Sequence, residues 1–423
     1  MSQFREAIKR VLPDFVREAV VNARDALSAP PLEDILLHEY LIDIDTDRRP
    51  RFTLVIPSVS PHKAFGGVTT ALDVFLEICK RTGADARILL DDFHHGVDPS
   101  VVNKFARKVG LDSARIDIVA RDGSTPRVRV RASDVFMTFN WAITLNIQSL
   151  IRKQSEAFNR RPPPIIYIIQ DYEPLFYRLS STHMLARAAF ATRNPCWGLF
   201  NSVELYDFFQ AQGHHVEKAY VFDPKLAADL KGFLKGEAPI KATRILVYGR
   251  PSIPRNCYPA VVKGLRRWVA RYPGQTPWEV VSAGLPHPPV PLGGGRSMRS
   301  LGMLPLASYG ELLRTTAVGL SLMASPHPSY PPLEMAHFGL RTITNGYANK
   351  DLSRSHANIV SIPEVDPDTI ADALGAACAA FEADPSSGWG AATLRPSFLE
   401  ERPFPFLDVL AEDLRRDVWG DGP

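Results

Sequence analysis

Residues 317–344 read AVGLSLM, then ASPHPSYPPLEMAHFG, then LRTIT, and this stretch holds the pattern that decides the fold. The two outer segments are short apolar runs of the kind that form buried strands. Between them, the prolines and serines of Ser325–Pro332 predict a stiff, polar turn that leads directly into a helix. A strand, a helix and another strand in this order are typical of a parallel β/α unit.

The same alternation extends over most of the chain. After Asp223 the pattern decays, and it starts again near residue 243, so a domain boundary near residue 240 is predicted. We expect an N-terminal domain (1–240), a C-terminal domain (241–395) and a helical segment (396–423) that either caps the second domain or crosses back to the first. The apolar runs are RFTLVIPSV, ARILL, SDVFMTFN, PPIIYIIQ, CWGLFNS and KAYVF, followed by TRILVYG, WEVVSAG, AVGLSLM, LRTIT and NIVSI.

Composition limits the class of protein. A chain of 423 residues is long enough for two cores, and 45% apolar with 22% charged residues is typical of a soluble globular protein. No apolar run reaches the roughly 18 residues that a membrane-spanning helix needs, and the first residues do not resemble a secretion signal, which favours a cytoplasmic location. The net charge of +3 is too small to indicate nucleic-acid binding.

Ligands of parallel sheets bind at the carboxyl ends of the strands, so the loops after the apolar runs are the places to search. After the first run, Gly66 and Gly67 open a helix, where free N–H groups could face an anion or a sugar hydroxyl. The loop is not GxGxxG, which disfavours dinucleotide binding. The alternative interpretation of this glycine pair is a plain tight turn.

The loop QDYEPLFY follows the run PPIIYIIQ and combines Gln170, Asp171 and Glu173 with aromatic residues that include Tyr172. Aromatic faces stack on sugar rings and carboxylates accept hydrogen bonds from sugar hydroxyls, so the pattern predicts carbohydrate binding. A polar strand end exposed to water is the alternative.

The second domain offers two basic or polar loops. Arg250 and Arg255 lie in the loop after the run TRILVYG, where their planar guanidinium groups could donate hydrogen bonds to a diphosphate. Ion pairs at the protein surface are the alternative. Ser329 and Tyr330 are expected to present backbone amides to phosphate oxygens. Glu334 is expected on the first turn of the following helix, where it could accept both hydroxyls of a ribose or simply interact with the helix dipole.

In combination, the motifs FGGVTTAL, YIIQDYEPLFY, FNS, VYGRPSIPRNCY and LSLMASPHPSYPPLEMAHFG resemble a known enzyme family. The chain resembles retaining glycosyltransferases of the GT-B fold, and more narrowly the bacterial rhamnosyltransferases that use dTDP-rhamnose to build rhamnose polysaccharides and surface-layer glycans. The similarity spans about residue 50 to residue 362. It implies an α/β protein with two Rossmann-like domains facing across a cleft, no cofactor besides the nucleotide-sugar substrate, and no metal ion.

The resemblance also assigns residues. Glu334 matches the second glutamate of the family's E-x7-E motif, whereas the first falls at Pro326, so that its contacts would have to come from His327 or Ser329 or be absent. The acceptor set is Gln170, Asp171, Tyr172 and Glu173. The donor set, with Arg250 and Arg255 on the diphosphate and residues 302–304 around thymine, is Gly66, Gly67, Gly249, Arg250, Arg255, Asn256, Gly302, Met303, Leu304, Ser329, Tyr330 and Glu334.

The implied reaction retains the anomeric configuration, with Arg250 and Arg255 stabilising the leaving group and Asp171 positioning hydroxyls. An inverting reaction would instead need a base, for which Asp171 is the first candidate, Glu173 the second, and His94 or His95 the next. Two other classes stay open: a sugar-nucleotide epimerase of the same fold and a non-catalytic glycan-binding or assembly subunit.

The first 28 residues alternate basic and apolar side chains, beginning with Phe4, Arg5, Ile8 and Lys9. A basic amphipathic helix can lie on an anionic membrane, where a lipid-linked saccharide acceptor would be found. A helix that packs on the first domain is the alternative. The expected partners are a nucleotide sugar and a saccharide acceptor, but no nucleic acid; the membrane surface is a further partner only under the first of these two interpretations of the helix.

Overall fold

The computed structural model describes residues 37–59, 67–91, 98–120, 126–274, 278–400 and 404–420. Within these residues the chain forms two mainly parallel seven-stranded sheets and a separate two-stranded pair. One large sheet lies before residue 240 and the other after it, and helices cover both faces of each sheet. The fold is therefore α/β with two Rossmann-like halves, as the sequence predicts.

The first half has its large sheet in the order β4-β3-β2-β6-β7-β8-β9, with every neighbouring pair parallel. The order reverses between β2 and β6, which makes their carboxyl ends the topological switch point. The strands of this half are β1 (Leu41–Ile44), β2 (Arg51–Ile56), β3 (Asp85–Leu90), β4 (Ile116–Val119), β5 (Arg127–Val130), β6 (Asp134–Thr138), β7 (Ile165–Ile169), β8 (Cys196–Phe200) and β9 (Lys218–Val221).

The second half has the sheet order β12-β13-β11-β10-β14-β15-β16. Its order reverses between β10 and β14, so the second switch point lies at their carboxyl ends. Only β12 and β13 form an antiparallel pair among the described strands of this sheet. The strands are β10 (Ala242–Gly249), β11 (Glu279–Gly284), β12 (Val290–Gly293), β13 (Arg296–Gly302), β14 (Thr316–Leu320), β15 (Arg341–Asn345) and β16 (Ile359–Ile362).

The helices bury their apolar faces against these sheets. In the first half, α1 and α2 cover one face, while α3 and α5 cover the other; in the second half, α7 and α10 lie opposite α8 and α9. Their bounds are α1 (Gly67–Thr82), α2 (Pro99–Val109), α3 (Trp141–Phe158), α4 (Ser181–Ala188), α5 (Val203–Ala211), α6 (Ala228–Lys231), α7 (Tyr258–Arg271), α8 (Leu306–Thr315), α9 (Tyr330–His337), α10 (Pro367–Ala383) and α11 (Phe406–Asp413).

The last helix, α11, belongs to the core of the first half. Phe406, Leu407 and Leu410 pack in the same apolar cluster as Phe75 of α1. The chain thus returns from the second sheet to the first, which the sequence left open. No described helix is long and apolar enough to cross a membrane.

The strands that sequence patterning did not identify are short and half-exposed. Strand β5 alternates exposed and buried residues over four positions, and β13 has a single fully buried residue, Met298. Such strands bury too little apolar surface to give a continuous apolar run, so only their pairing in the fold identifies them.

Candidate active site

Direct side-chain contacts join the loops after β7 and β8 of the first sheet to the switch point of the second sheet and the helix that follows it. Asp171, in the loop after β7, accepts a hydrogen bond from Ser325 Oγ of the loop after β14. Asn201, after β8, donates from Nδ2 to Tyr330 Oη over 3.3 Å. The loops that carry the predicted acceptor residues and the predicted donor residues therefore meet in one cleft.

Asp171 contacts residues of both halves. Its side chain is buried, its Oδ1 also accepts the Tyr172 N–H at 2.8 Å, and its Oδ2 lies 3.7 Å from Arg255 Nε. A buried carboxylate needs such partners, because an uncompensated charge away from water is costly. Contacts with both halves fix the orientation of Asp171, which suits a role in positioning a bound group.

Arg255 lies between Asp171 and an aromatic ring. Its guanidinium carbon is 3.9 Å from the centre of the Phe176 ring, a cation–π contact, while its Nε is buried without a hydrogen bond to any described residue. Burial lowers the pKa of Arg255, Asp171 opposes this change, and the nearby positive charge of Arg250 adds to it. Two guanidiniums therefore share one end of β10, as the sequence predicts.

Lys350 completes the charged cluster and was not predicted from the sequence. It is only 1% exposed, its Nζ donates to the Met323 carbonyl at 2.8 Å, and burial lowers its pKa to about 8, against the opposing effect of Asp171. No local pattern indicates this role, because a lone lysine in the loop NGYANKDL is typical of a solvated surface residue.

The loop after β14 is held from both sides. Asn345 accepts the Met323 N–H at 2.7 Å and donates to the Met323 carbonyl at 3.2 Å, and the Ala324 N–H donates to the Arg255 carbonyl at 2.7 Å. Asn256 donates to the Leu322 carbonyl at 3.4 Å. Asn256, predicted to bind the donor, is thus buried as a support of the neighbouring loop.

His327 and Ser329 define the end of this loop. The Ser329 N–H donates to His327 Nδ1 at 3.0 Å, so the ring proton lies on Nε2, which is buried without a partner among the described residues. Burial lowers the pKa of His327 to about 4, so this ring is neutral near pH 7 and can donate from Nε2. Ser329 adopts φ 69° and ψ 149°, a region that favours glycine and stores strain.

The start of α9 differs from the prediction in two respects. Tyr330 is the first helical residue, so Glu334 lies on the second turn and not the first. Pro331 and Pro332 have no N–H, and the Ser329 N–H already donates to His327 Nδ1. Of the backbone donors at the start of this helix, the Tyr330 N–H is the one left to bind an anion. The Tyr330 ring instead reaches the first half through Asn201.

Glu334 is half-buried and faces Tyr309 of α8. The Tyr309 hydroxyl donates to Glu334 Oε2 at 3.0 Å, and burial raises the pKa of Glu334 to about 7. Leu304 packs in the same cluster as Tyr309, whereas Met303 is 67% exposed and Gly302 ends β13 with φ 64°. The predicted base-binding loop therefore leads directly into the helix that contacts Glu334.

Two predicted acceptor residues point away from the cleft. Tyr172 packs in the core of the first half and bonds His214 Nε2 at 2.9 Å. Glu173 accepts the Trp141 N–H at the start of α3 and the Tyr167 hydroxyl, both at 2.6 Å. Both side chains are therefore occupied in supporting the first half, because each makes its hydrogen bonds with residues of that half.

The glycine loop and the acceptor loop are in contact. Gln170 Nε2 donates to the Gly67 carbonyl at 2.9 Å, and a Cβ on Gly67 would lie 2.5 Å from Gln170 Oε1. Gly67 therefore allows the Gln170 side chain to come close to the backbone, whereas the contact of this loop with an anion or a sugar hydroxyl stays a prediction. Gly66, His94, His95 and the basic segment of residues 1–28 lie outside the described residues.

Glu173 leads to a pH-dependent prediction. Burial raises its pKa to about 8, so the folded protein holds Glu173 neutral up to that pH, while the unfolded chain ionises it above about 4.5. The stability gained from the neutral carboxyl is present below pH 4.5 and is lost as the pH rises to 8. Relative to wild type, Glu173→Gln should gain about 3 kcal/mol in unfolding free energy between pH 5 and pH 8. Urea denaturation at both values measures this difference, and a pH-independent difference would contradict it.

Comparisons with known proteins agree with this fold. Among solved structures, HepE from Anabaena in complex with UDP and glucose matches 86% of this chain and 98% of its own, with a TM-score of 0.55 at 12% identity. Sucrose-phosphate synthase from Thermosynechococcus elongatus matches 88% of this chain and 100% of its own, with a TM-score of 0.51 at 12% identity. WaaG, a glycosyltransferase involved in lipopolysaccharide biosynthesis, matches 86% of this chain and 100% of its own, with a TM-score of 0.50 at 13% identity.

Similarity in sequence is narrower and more specific. The O-antigen biosynthesis protein RfbC from Myxococcus xanthus is 34% identical over 180 residues, which are 42% of this chain but 14% of that much longer protein. Residues 51–203 match the N-terminal domain of WsaF, and residues 243–375 match the C-terminal domain of WsaF. Because these two matches together cover more than half of the chain, one in each Rossmann-like half, the chain belongs to the WsaF family and has the GT-B fold of glycosyltransferases.

Proposed function

We propose that this protein is a glycosyltransferase that moves L-rhamnose from dTDP-rhamnose to a saccharide acceptor during bacterial polysaccharide assembly. The observation that carries the proposal is the ion pair of Arg255, which lies near Arg250 at the switch point of the second sheet, with Asp171 of the loop after β7 in the first sheet. A pair of guanidiniums opposite a fixed carboxylate is suited to hold a diphosphate next to a sugar.

The chemistry follows from charge. As the bond to the anomeric carbon breaks, negative charge builds up on the leaving diphosphate. Arg250 and Arg255 are placed before the reaction starts and need little reorganisation to stabilise that charge. The buried Lys350 adds positive charge to the same cluster, and the neutral His327 adds an Nε2–H donor. Side chains of this kind can stabilise the leaving group by themselves, which supports a metal-independent reaction.

The choice of sugar and pathway rests on similarity. The resemblance to dTDP-rhamnose-dependent enzymes supports rhamnose, and the name of the Myxococcus relative supports a role in O-antigen or related polysaccharide synthesis. A lipid-linked acceptor and contact with the inner face of the cytoplasmic membrane are further parts of the proposal. They depend on the basic residues of the first 28 positions.

We further propose that the reaction retains the anomeric configuration. Asp171 is already engaged by Ser325 and Arg255, which favours a positioning role over that of a free base. In a retaining reaction the departing phosphate can take the proton of the incoming hydroxyl on the same face. Asp171→Asn would then keep nucleotide affinity and lower turnover only moderately.

One NMR experiment tests the proposal. The full chain is incubated with dTDP-rhamnose, with and without a rhamnose-containing oligosaccharide, and the products are followed by NMR. We expect a new glycosidic bond of the same anomeric configuration as the donor, formed only with acceptor present and at least tenfold faster than with UDP-rhamnose.

The other outcomes are equally specific. A changed sugar nucleotide in the absence of acceptor would identify an epimerase. An inverted product, with no activity in Asp171→Asn, would overturn retention and make Asp171 the base. No reaction with either nucleotide sugar would favour a glycan-binding or assembly subunit. Arg267→Ala, an exposed arginine in an ion pair with Asp368, is the matched control for handling of the variants.

A further inference from the structure

The helix α4 and the loop before it expose two neighbouring apolar side chains. Ser180 caps the helix by accepting the His183 N–H at 3.2 Å. Leu179, just before the cap, and Met184, after the first turn, therefore occupy the two positions at which apolar side chains meet at many helix starts. Leu179 is 89% exposed and Met184 is 59% exposed. Apolar side chains that lie side by side and stay uncovered indicate an interaction surface, whereas scattered ones do not.

The charges around this apolar pair have one sign. Residues 174–203 include three arginines but no aspartate or glutamate. The arginines are Arg178, Arg187 and Arg193, and all three are exposed. None of their side chains forms an ion pair or a hydrogen bond with the described residues. The surface is therefore both apolar and positively charged.

The elements that pack against α4 do not neutralise this charge. Ala186 of α4 packs in one cluster with Trp141 and Leu145 of α3, and residues 141–151 of α3 include no charged side chain. The nearest carboxyl before the helix, Glu173, is neutral at pH 7 because burial raises its pKa to about 8. These two neighbours thus leave the arginines of α4 uncompensated.

The surface lies close to the candidate active site. The ring of Phe176 faces the Arg255 guanidinium, with 3.9 Å between the guanidinium carbon and the ring centre. Leu179 follows Phe176 by three positions, which is at most about 11 Å of extended chain. A partner that covers α4 would therefore be held next to the cleft between the two halves.

We propose that Leu179, Met184, Arg178 and Arg187 form a contact surface for an anionic lipid bilayer, here called the α4 surface. The guanidinium groups bind lipid phosphates, and the two apolar side chains enter the boundary between headgroups and acyl chains. A symmetric contact with a second copy of the chain is disfavoured, because it would place the arginines of both copies against each other. The α4 surface does not include the basic segment of residues 1–28.

The α4 surface gives the membrane contact a direction. A bilayer bound there lies beside the cleft, so a lipid-linked saccharide would reach the cleft without leaving the membrane. This role in acceptor delivery rests on the proposed function, whereas binding to vesicles does not depend on it.

Vesicle flotation of the full chain tests the contact. One set of vesicles contains phosphatidylglycerol and phosphatidylcholine in equal amounts, and the other contains phosphatidylcholine alone. We expect the wild-type chain to bind the anionic vesicles at least tenfold more tightly than the neutral ones. The double variants Leu179→Ser with Met184→Ser and Arg178→Glu with Arg187→Glu should each weaken binding to anionic vesicles about tenfold.

Matched controls change the same residue types elsewhere in the first half. Arg160→Glu with Arg161→Glu reverses two exposed charges between α3 and β7, at the opposite edge of the sheet from the cleft. Val409→Ser changes an exposed valine of α11. Both controls should bind anionic vesicles within about twofold of wild type. All of these variants should transfer sugar to a soluble oligosaccharide at the wild-type rate, since none changes a residue of the cleft.

A fluorescent label locates the contact without removing it. The four native cysteines are buried or half-buried, so Leu179→Cys provides an exposed thiol for an environment-sensitive dye. We expect the emission of this label to shift to shorter wavelength with anionic vesicles, and the emission of the same label at Val409→Cys to stay unchanged.

The contrary results are distinct. Equal binding to both kinds of vesicle, or unchanged binding in the two double variants, would overturn the inference. An unresponsive label at Leu179→Cys on vesicle-bound protein would assign the contact to another part of the chain. Self-association that is lost in Leu179→Ser with Met184→Ser, with vesicle binding unchanged, would assign the α4 surface to a second copy. Sugar transfer to a soluble acceptor would keep the proposed function in all these cases, whereas vesicle binding without any transfer would remove that function and keep the membrane contact.

Discussion

Arg250→Ala should lower kcat about a hundredfold, equivalent to about 3 kcal/mol of transition-state stabilisation, with almost no change in stability. The loss in rate is large because a preplaced cation would no longer face the leaving diphosphate. The fold should be preserved because the Arg250 side chain makes no hydrogen bond or ion pair with the described residues, and its carbonyl still accepts the Ile253 N–H when the side chain is shortened to alanine. Steady-state kinetics of the proposed sugar transfer measure kcat, and urea denaturation measures the stability.

Two further variants sharpen this prediction. Arg250→Lys should recover only part of the lost rate, because an ammonium group lacks the planar pair of donors that suits a diphosphate. Arg267→Ala, the exposed control on α7, should leave kcat within about twofold of wild type. A wild-type kcat in Arg250→Ala would remove Arg250 from the catalytic site.

Gly284→Ala should destabilise the protein by about 4 kcal/mol and weaken nucleotide binding at the same time. Gly284 ends β11 beside Gly249 of β10 and has φ 141°. A Cβ at this position would lie 2.3 Å from the Gly249 carbonyl oxygen and 3.3 Å from Arg250 Cγ. The added methyl group would therefore strain its own backbone and displace the strand end that carries Arg250.

A matched control separates these two effects. Gly213 also has a positive φ, 77°, but a Cβ there would have no neighbouring atom within 4 Å. Gly213→Ala should cost only about 1 kcal/mol, from backbone conformation alone, and leave nucleotide binding unchanged. Equal losses of unfolding free energy in the two variants would show that the close approach at Gly284 is unimportant.

The sequence pattern predicts some residues of the candidate site better than others. The pattern singles out Arg250 and Asp171 because each directly follows an apolar run in a parallel α/β pattern, and Arg255 because it lies in the same loop as Arg250, close to the start of the next helix; such loops lie at the ligand-binding edge of a sheet. Glu334 was placed on the correct helix but one turn too early, since boundary prediction at a run of prolines is uncertain by a few residues. Tyr172 and Glu173 were assigned to the acceptor, but the fold turns them toward Phe190, His214 and Trp141.

Other site residues had no local signal. Lys350 and Tyr309 occur in segments that read as a polar loop and an amphipathic helix. Their roles arise from partners distant in the chain, Met323 and Glu334, that only the packing of neighbouring elements brings within hydrogen-bonding distance. Ser325 is a similar case, because its contact with Asp171 joins loops that are 154 positions apart.

The class of fold follows from the amino-acid sequence alone, because parallel sheets covered by helices bury both the apolar runs and the apolar faces of the amphipathic segments. The sequence also determined which loops carry the chemistry, because strand ends and helix starts are local features. Which of those side chains meet depends on how the two halves pack. The loops after β7 and β8 of the first sheet contact the loop after β14 and the start of α9, and α11 returns to the core of the first half. Side-chain partners across a cleft depend on this arrangement and not on local spacing, so the cluster of Asp171, Arg255 and Lys350 exists only in the folded chain.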